Sequence, residues 1–145
     1  RRREVVAQLA MAVQHVSAVS VPGPLPGAEP SYWFLRMRFH PEVSQVDKFA
    51  FCRALSAEGL PVNPDYSGAL PHTMTWFVER RVFGTSRYPW ASPDYHGDPN
   101  CQFACEHARA AIRTHLNVGI HESWGEHDIS DAAEILAKVG EAYSL

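Results

Sequence analysis

The chain has 145 residues, of which 46% are hydrophobic and 20% are charged, a balance typical of one ordinary globular domain. Its formal net charge of -3 argues against a general nucleic-acid binder, which carries a basic excess. No apolar run approaches the roughly 20 residues of a membrane-spanning helix, and three cysteines are too few, and odd in number, for a secreted disulfide framework. We therefore expect a cytoplasmic protein that binds neither nucleic acid nor membrane.

The first segment has the apolar spacing of an amphipathic helix. Its valines and Leu9 recur at mostly three- and four-residue steps from Val5 to Val16. No capping residue precedes Arg1. We interpret residues 1–16 as the end of a longer helix and expect the chain to be a fragment of a longer protein; a trimmed or frayed start is the alternative.

A proline-rich connector and a strand follow. Four prolines lie between residues 22 and 30, a density that forbids a helix and predicts an extended segment. Residues 31–39 then alternate with the period of a strand. This pattern predicts one apolar face made of Trp33, Leu35, Met37 and Phe39.

The middle of the chain changes from a clear helix to an irregular region. A helix is predicted from about Val43 to Glu58, with Gly59 as its stop and a short strand over residues 60–62. Residues 69–100 are rich in proline, glycine and aromatic side chains. Because disordered segments lack aromatics, we expect an ordered aromatic lobe that covers something.

The last third predicts a helix over residues 105–115, a short strand over 117–121 and a final helix. Glu126, Asp128 and Asp131 suit the start of that final helix, whose apolar residues from Ile129 to Tyr143 are spaced three and four apart. The order of elements predicts an α+β fold in two layers, a short sheet covered by helices.

The candidate chemistry is sparse. Cys101, Cys105 and His107 have part of a zinc-site spacing, but no second ligand pair follows as a tight motif, so ordinary packing is favoured. His121 lies where a strand is predicted to end, a common place for ligand-binding groups; a local backbone cap is the equal alternative. Arg87 and Trp90 share an aromatic setting that suits ligand contact, although surface arginines are more common.

Three segments, in order, resemble the DegT/DnrJ/EryC1/StrS aminotransferase family. Residues 51–62, FCRALSAEGLPV, are similar to its "xxALxAEGIPV" turn. Residues 117–124, NVGIHESW, with the following DI and ILAKV, resemble its closing "LPLHExxxxxDIxxxxxAIxKV" stretch. The N-terminal RRREVVA looks like the end of the family's "RRxxxA" helix.

The resemblance implies the C-terminal small domain of a fold-type I enzyme that uses pyridoxal 5'-phosphate (PLP). Such a domain has a mainly antiparallel sheet of the aspartate aminotransferase small-domain type. Residues 1–16 would end the interdomain helix, residues 17–145 would form the small domain, and the large domain that binds PLP would lie outside this chain. The family transfers an amino group from glutamate or glutamine to a keto-sugar or keto-cyclitol, as a homodimer.

The resemblance also implies which residues contact the substrate. His121 matches the His of "LPLH", and Tyr66 to His72 match a "HYPxPxH" segment whose first part is replaced here. We add Arg87 and Trp90 as substrate contacts from their setting. We expect no catalytic, cofactor-binding or metal-ligating residue in this chain, since neither Lys48 nor Lys138 lies in the family's lysine context. The alternative is a free-standing α+β binding or regulatory module with an aromatic pocket and a zinc ion at the cysteines.

Overall fold

The computed structural model describes residues 1–145, which form two compact units. The sheet unit comprises Arg1–Pro64 and Arg113–Leu145, and the aromatic unit comprises Asp65–Ile112. The helices are α1 (Arg2–Ala12), α2 (Lys48–Ala57), α3 (Thr75–Val78), α4 (Glu106–Thr114) and α5 (Glu126–Ala142). The strands are β1 (Val19–Ser20), β2 (Leu35–Phe39), β3 (Val62–Asn63) and β4 (His115–Val118).

The sheet unit is a small α+β structure, as the sequence predicts. Its four strands pair in the order β1-β2-β4-β3, and every pairing is antiparallel. Strand β2 alternates strictly, so that Leu35, Met37 and Phe39 are buried. Helices α1 and α2 both pack against α5, which completes a helical layer over the apolar side chains. None of the five helices is long and apolar enough to cross a bilayer.

Helix α2 shows how local sequence sets a boundary. The Asp47 carboxylate accepts a hydrogen bond from the Ala50 amide at 2.7 Å, which caps the first turn. At the other end Gly59 has a φ of +102°, and the Leu60 amide donates to the Leu55 carbonyl at 3.0 Å. This is a Schellman cap, so the predicted stop at Gly59 is confirmed. The predicted start at Val43 is wrong because Pro41–Val43 forms a separate 3-10 turn ahead of the Asp47 cap.

The strands differ from the predictions in three respects. Trp33 does not share the buried face with Leu35, since it is 82% exposed and β2 begins only at Leu35, opposite Val118. The extended connector also contains a strand: Val19 pairs with Phe39 to form the edge of the sheet. Strand β4 begins at His115, two residues earlier than predicted, because His115 pairs with Arg38.

Helix α5 begins and packs as its pattern predicts. The Asp128 carboxylate accepts from the Gly125 amide at 2.7 Å, so one of the expected acidic residues closes the first turn. Ile129, Leu136 and Val139 are buried. Near the end of the helix Gly140 is also buried, where it approaches the side chain of Val16.

Replacing Gly140 with alanine should lower the free energy of unfolding by about 1–3 kcal/mol. A methyl group there would overlap Cγ1 of Val16, a stiff β-branched side chain. Helix propensity alone predicts the opposite sign, a gain of roughly 1 kcal/mol. Urea denaturation of Gly140→Ala, with Gly140→Ala/Val16→Ala as the relieving double variant, separates the two effects. A more stable Gly140→Ala chain would contradict the close packing.

Candidate functional site

The aromatic unit is organised around the buried guanidinium of Arg80. This side chain is only 7% exposed and donates hydrogen bonds to the carbonyl oxygens of Phe77, Pro99 and Cys101. Its guanidinium carbon also lies 4.9 Å from the Phe77 ring centroid and 5.1 Å from that of Trp90. Arg80 therefore ties the segment around α3 to the segment around residues 99–101.

Aromatic rings complete this small core. The Phe77 ring meets Trp90 edge-on, with centroids 5.7 Å apart, and meets Phe103 at 5.8 Å. Trp76 packs edge-on against Phe77 at 5.6 Å. The predicted ordered aromatic lobe is confirmed in that these rings pack together; that it covers a site stays a prediction.

A cleft of about 470 Å³ opens beside this core. Its polar lining consists of His72, Glu79, Arg80, Arg87, Asn100, Gln102 and Arg109, and Phe77 and Phe103 provide part of its apolar wall. The Arg87 guanidinium makes one long hydrogen bond, 3.5 Å to Oδ1 of Asn100. Arg109 uses its Nε to bind the Ala104 carbonyl at 2.8 Å. The Nε2 atom of His72 is buried and has no hydrogen-bond partner within the protein.

The cleft unites some of the predicted substrate contacts. His72 and Arg87 both line it, whereas Trp90 does not line it and packs edge-on against Phe77, which does. Tyr66 does not line it and is exposed at the start of the Ser67–Ala69 turn. Sequence reasoning singled out neither Arg80 nor Arg109, since nothing in the local sequence shows that their partners lie in one cleft.

His121 belongs to the sheet unit, three residues beyond the end of β4. Its Nδ1 accepts from the Ser123 amide at 3.2 Å and lies 2.8 Å from the Ser123 hydroxyl. Because Nδ1 accepts a backbone hydrogen bond, the neutral ring carries its proton on Nε2. The side chain is 60% exposed, so His121 can offer an N–H donor to a ligand.

A second cleft lies in the sheet unit near this turn. It has a volume of about 390 Å³ and is lined by Arg1, Arg2, Tyr32, Trp33 and Glu122, with Ser31. Arg2 donates to Oε2 of Glu122 at 2.8 Å and to the carbonyls of Tyr32 and Trp33. A backbone hydrogen bond and then Arg2 hold the pKa of Glu122 below its usual range. Glu122 is therefore ionised and paired at neutral pH.

The cysteines do not assemble into a metal centre. No group of three or more histidine, cysteine, aspartate or glutamate side chains is placed to hold a metal ion anywhere in the chain. Cys101, Cys105 and the buried Cys52 are all free thiols. Burial raises the pKa of Cys52 to about 11, so this thiol stays protonated and is a packing residue at neutral pH.

Both lysines of the chain have polar partners within the sheet unit. The Lys48 amine is buried and donates to the His115 carbonyl at 3.0 Å, within the sheet unit. Lys138 pairs with Glu58 at 2.6 Å on the outside of the helical layer. Neither residue lines the two clefts described above.

The fold is that of a fragment of an aminotransferase. No protein-family model and no curated protein matches the chain. Among solved structures, the aminotransferase TlmJ from Streptoalloteichus hindustanus is similar, with a TM-score of 0.62 and 17% sequence identity. The match covers 97% of this chain but only 31% of the TlmJ chain. At this identity the likeness shows the fold.

Proposed function

We propose that this chain is the C-terminal small domain of a PLP-dependent aminotransferase of the DegT/DnrJ/EryC1/StrS family. The enzyme would move an amino group from glutamate or glutamine to a keto-sugar or keto-cyclitol. In this proposal the domain contributes substrate contacts and domain closure, and residues 1–16 end the helix that leads from the large domain. The whole protein would act in the cytoplasm as a homodimer.

The observation that carries this proposal is the fold likeness to TlmJ. Nearly the whole chain matches about a third of an aminotransferase. The family motifs agree with this independently: the "AEGLPV" turn forms the Schellman cap of α2 followed by β3, and the "GIHESW" segment follows β4. The family within this fold is proposed from this ordered set of motifs, because fold likeness alone does not define function.

The proposal assigns the cofactor to residues outside these 145. PLP supplies the electron sink for transamination and is held through a lysine. Lys48 and Lys138 are engaged in hydrogen bonds that stabilise the sheet unit, so no catalytic lysine is proposed here. Consistent with that, we expect the isolated 145-residue chain to show no transaminase activity.

His121 is the residue of the sheet unit best placed to touch the substrate. Its ring is oriented by Ser123, and its Nε2 lies 3.8 Å from Oε1 of Glu122 on a side chain that is exposed to a ligand. A single N–H donor stabilises a bound hydroxyl or carbonyl by about 0.5–1.5 kcal/mol. We assign it to substrate binding or to the orientation of a neighbour, not to the principal proton transfer.

We expect His121→Ala in the full-length protein to lower kcat/KM for the acceptor about threefold to tenfold, from the loss of that hydrogen bond. Bound PLP, followed by its absorbance, should remain at the wild-type level. His127→Ala is the matched control, because His127 is an exposed histidine on α5. Loss of PLP from His121→Ala, or equal effects of both variants, would contradict the substrate role.

The free-standing binding module receives no specific support. Its zinc ion would need Cys101, Cys105 and His107 with a further ligand, and the structure assembles no such group. We therefore develop only the aminotransferase proposal.

A further inference from the structure

We propose that the 470 Å³ cleft of the aromatic unit binds an anionic group, a phosphate or a carboxylate, of a small-molecule ligand. That this ligand is the substrate of an aminotransferase rests on the proposed function. The anion binding itself depends only on the side chains of the cleft.

The first argument is the balance of charge. Arg80, Arg87 and Arg109 all line the cleft, and Glu79 is its single carboxylate. That carboxylate is already paired, since Arg81 binds Oε2 of Glu79 at 3.1 Å. Neither Arg87 nor Arg109 forms an ion pair. The cleft therefore has an excess of positive charge on a chain whose net charge is -3.

The second argument is that donors remain available. The Arg109 side chain uses Nε on a backbone carbonyl, and Arg87 makes only a 3.5 Å contact with Asn100. Guanidinium groups bind carboxylates and phosphates through paired N–H donors. Beside them, the buried Nε2 of His72 has no partner, and a buried polar atom without a partner costs roughly 1–3 kcal/mol. A bound anion would accept hydrogen bonds from the guanidinium donors and from an N–H at Nε2 of His72 together.

The third argument is that the cleft is rigidly supported. Arg80 is committed to three carbonyl oxygens, those of Phe77, Pro99 and Cys101. All three of these residues line the cleft itself. The positive charge of Arg80 is thus held in one position at the wall of the cleft. The guanidinium groups of Arg87 and Arg109 make fewer hydrogen bonds and remain available to bind a ligand. Preorganised donors of this kind lower the cost of binding.

The test is titration calorimetry of the 145-residue chain at low ionic strength. The probes are inorganic phosphate, pyrophosphate and succinate, which distinguish a phosphate site from a carboxylate site. We expect saturable binding of at least one probe, weakened by added salt. Arg87→Gln should weaken it about tenfold, which corresponds to about 1.4 kcal/mol. Arg53→Gln, at an exposed arginine on α2 in the other unit, should leave it unchanged.

A second variant, which is expected to strengthen anion binding, distinguishes an effect on the cleft from a loss of folding. Glu79→Gln removes the one carboxylate of the cleft and should leave the folded structure unchanged. Because the cleft loses a negative charge, we expect anions to bind at least twofold more tightly. Absence of saturable binding to the wild-type chain, or one affinity shared by the wild type, Arg87→Gln and Glu79→Gln, would overturn the proposal. Neither the presence nor the absence of anion binding decides the aminotransferase proposal, because that proposal is tested by the PLP content of the full-length protein.

Discussion

Replacing Arg80 with alanine is expected to destabilise the aromatic unit by about 3–5 kcal/mol. The substitution removes the side-chain hydrogen bonds to three carbonyl oxygens, and hydrogen bonds to a charged group are worth about 1.5–3 kcal/mol each, although such effects are not additive. It also removes the cation over the rings of Phe77 and Trp90. Amide hydrogen exchange should show lost protection confined to residues 65–112, because the sheet unit has its own core.

Arg81→Ala is the matched control for this experiment. Arg81 adjoins Arg80 in sequence, but its side chain is exposed and its ion pair with Glu79 lies at the surface. Surface pairs of this kind contribute about 0–1 kcal/mol. Equal losses of protection in Arg80→Ala and Arg81→Ala would contradict the organising role of Arg80.

The second large effect is expected from replacing Phe51 with alanine, which should lower the free energy of unfolding by about 3–5 kcal/mol. Phe51 is fully buried on α2, and its ring lies 5.2 Å from that of Phe39 on β2. The truncation leaves a cavity between the helical layer and the sheet, where the surrounding side chains cannot fully relax. Urea unfolding followed by far-UV circular dichroism should show a lower midpoint at an unchanged slope.

Phe49→Ala provides the comparison within the same helix. Phe49 is 48% exposed, and its main contact is the Lys48 amine 5.3 Å from the ring centroid. We expect this variant to cost no more than about 1 kcal/mol. If Phe49→Ala and Phe51→Ala lowered the midpoint equally, the placement of the core on one face of α2 would be wrong.

Local sequence signals predicted the elements whose boundaries are set within a few residues. Gly59 ends α2 because only a residue tolerant of positive φ fits there, and the acidic start and apolar spacing of α5 act within one helix. The α+β class followed from the order of such elements. These signals are local, so they need no knowledge of the partner segment.

The errors in the strands arose where a partner segment decides the structure. Whether Trp33 continues β2 depends on pairing with β4, which begins only at Leu35. Strand β1 is two residues long and lies just before the proline-rich segment. It is a strand because it pairs with β2. Short strands of this kind carry too little periodicity to be predicted.

In the candidate site, too, a residue with a local sequence signal was predicted and residues with distant partners were missed. Arg87 was predicted from its aromatic neighbours in sequence, and the structure places it in the cleft beside His72. Arg80 was missed because two of its acceptors lie 19 and 21 residues away. Arg109 was missed because α4 gives no local sign that it contributes a wall of the same cleft.

The central claim is that this chain is the small domain of a PLP-dependent aminotransferase. The most direct test is the intact mass of the natural gene product after borohydride reduction, which fixes a lysine-bound PLP covalently. The account predicts a polypeptide far heavier than the 16.2 kDa of this chain, carrying one reduced PLP on a lysine outside these residues. A natural product of 16.2 kDa without an adduct would contradict it.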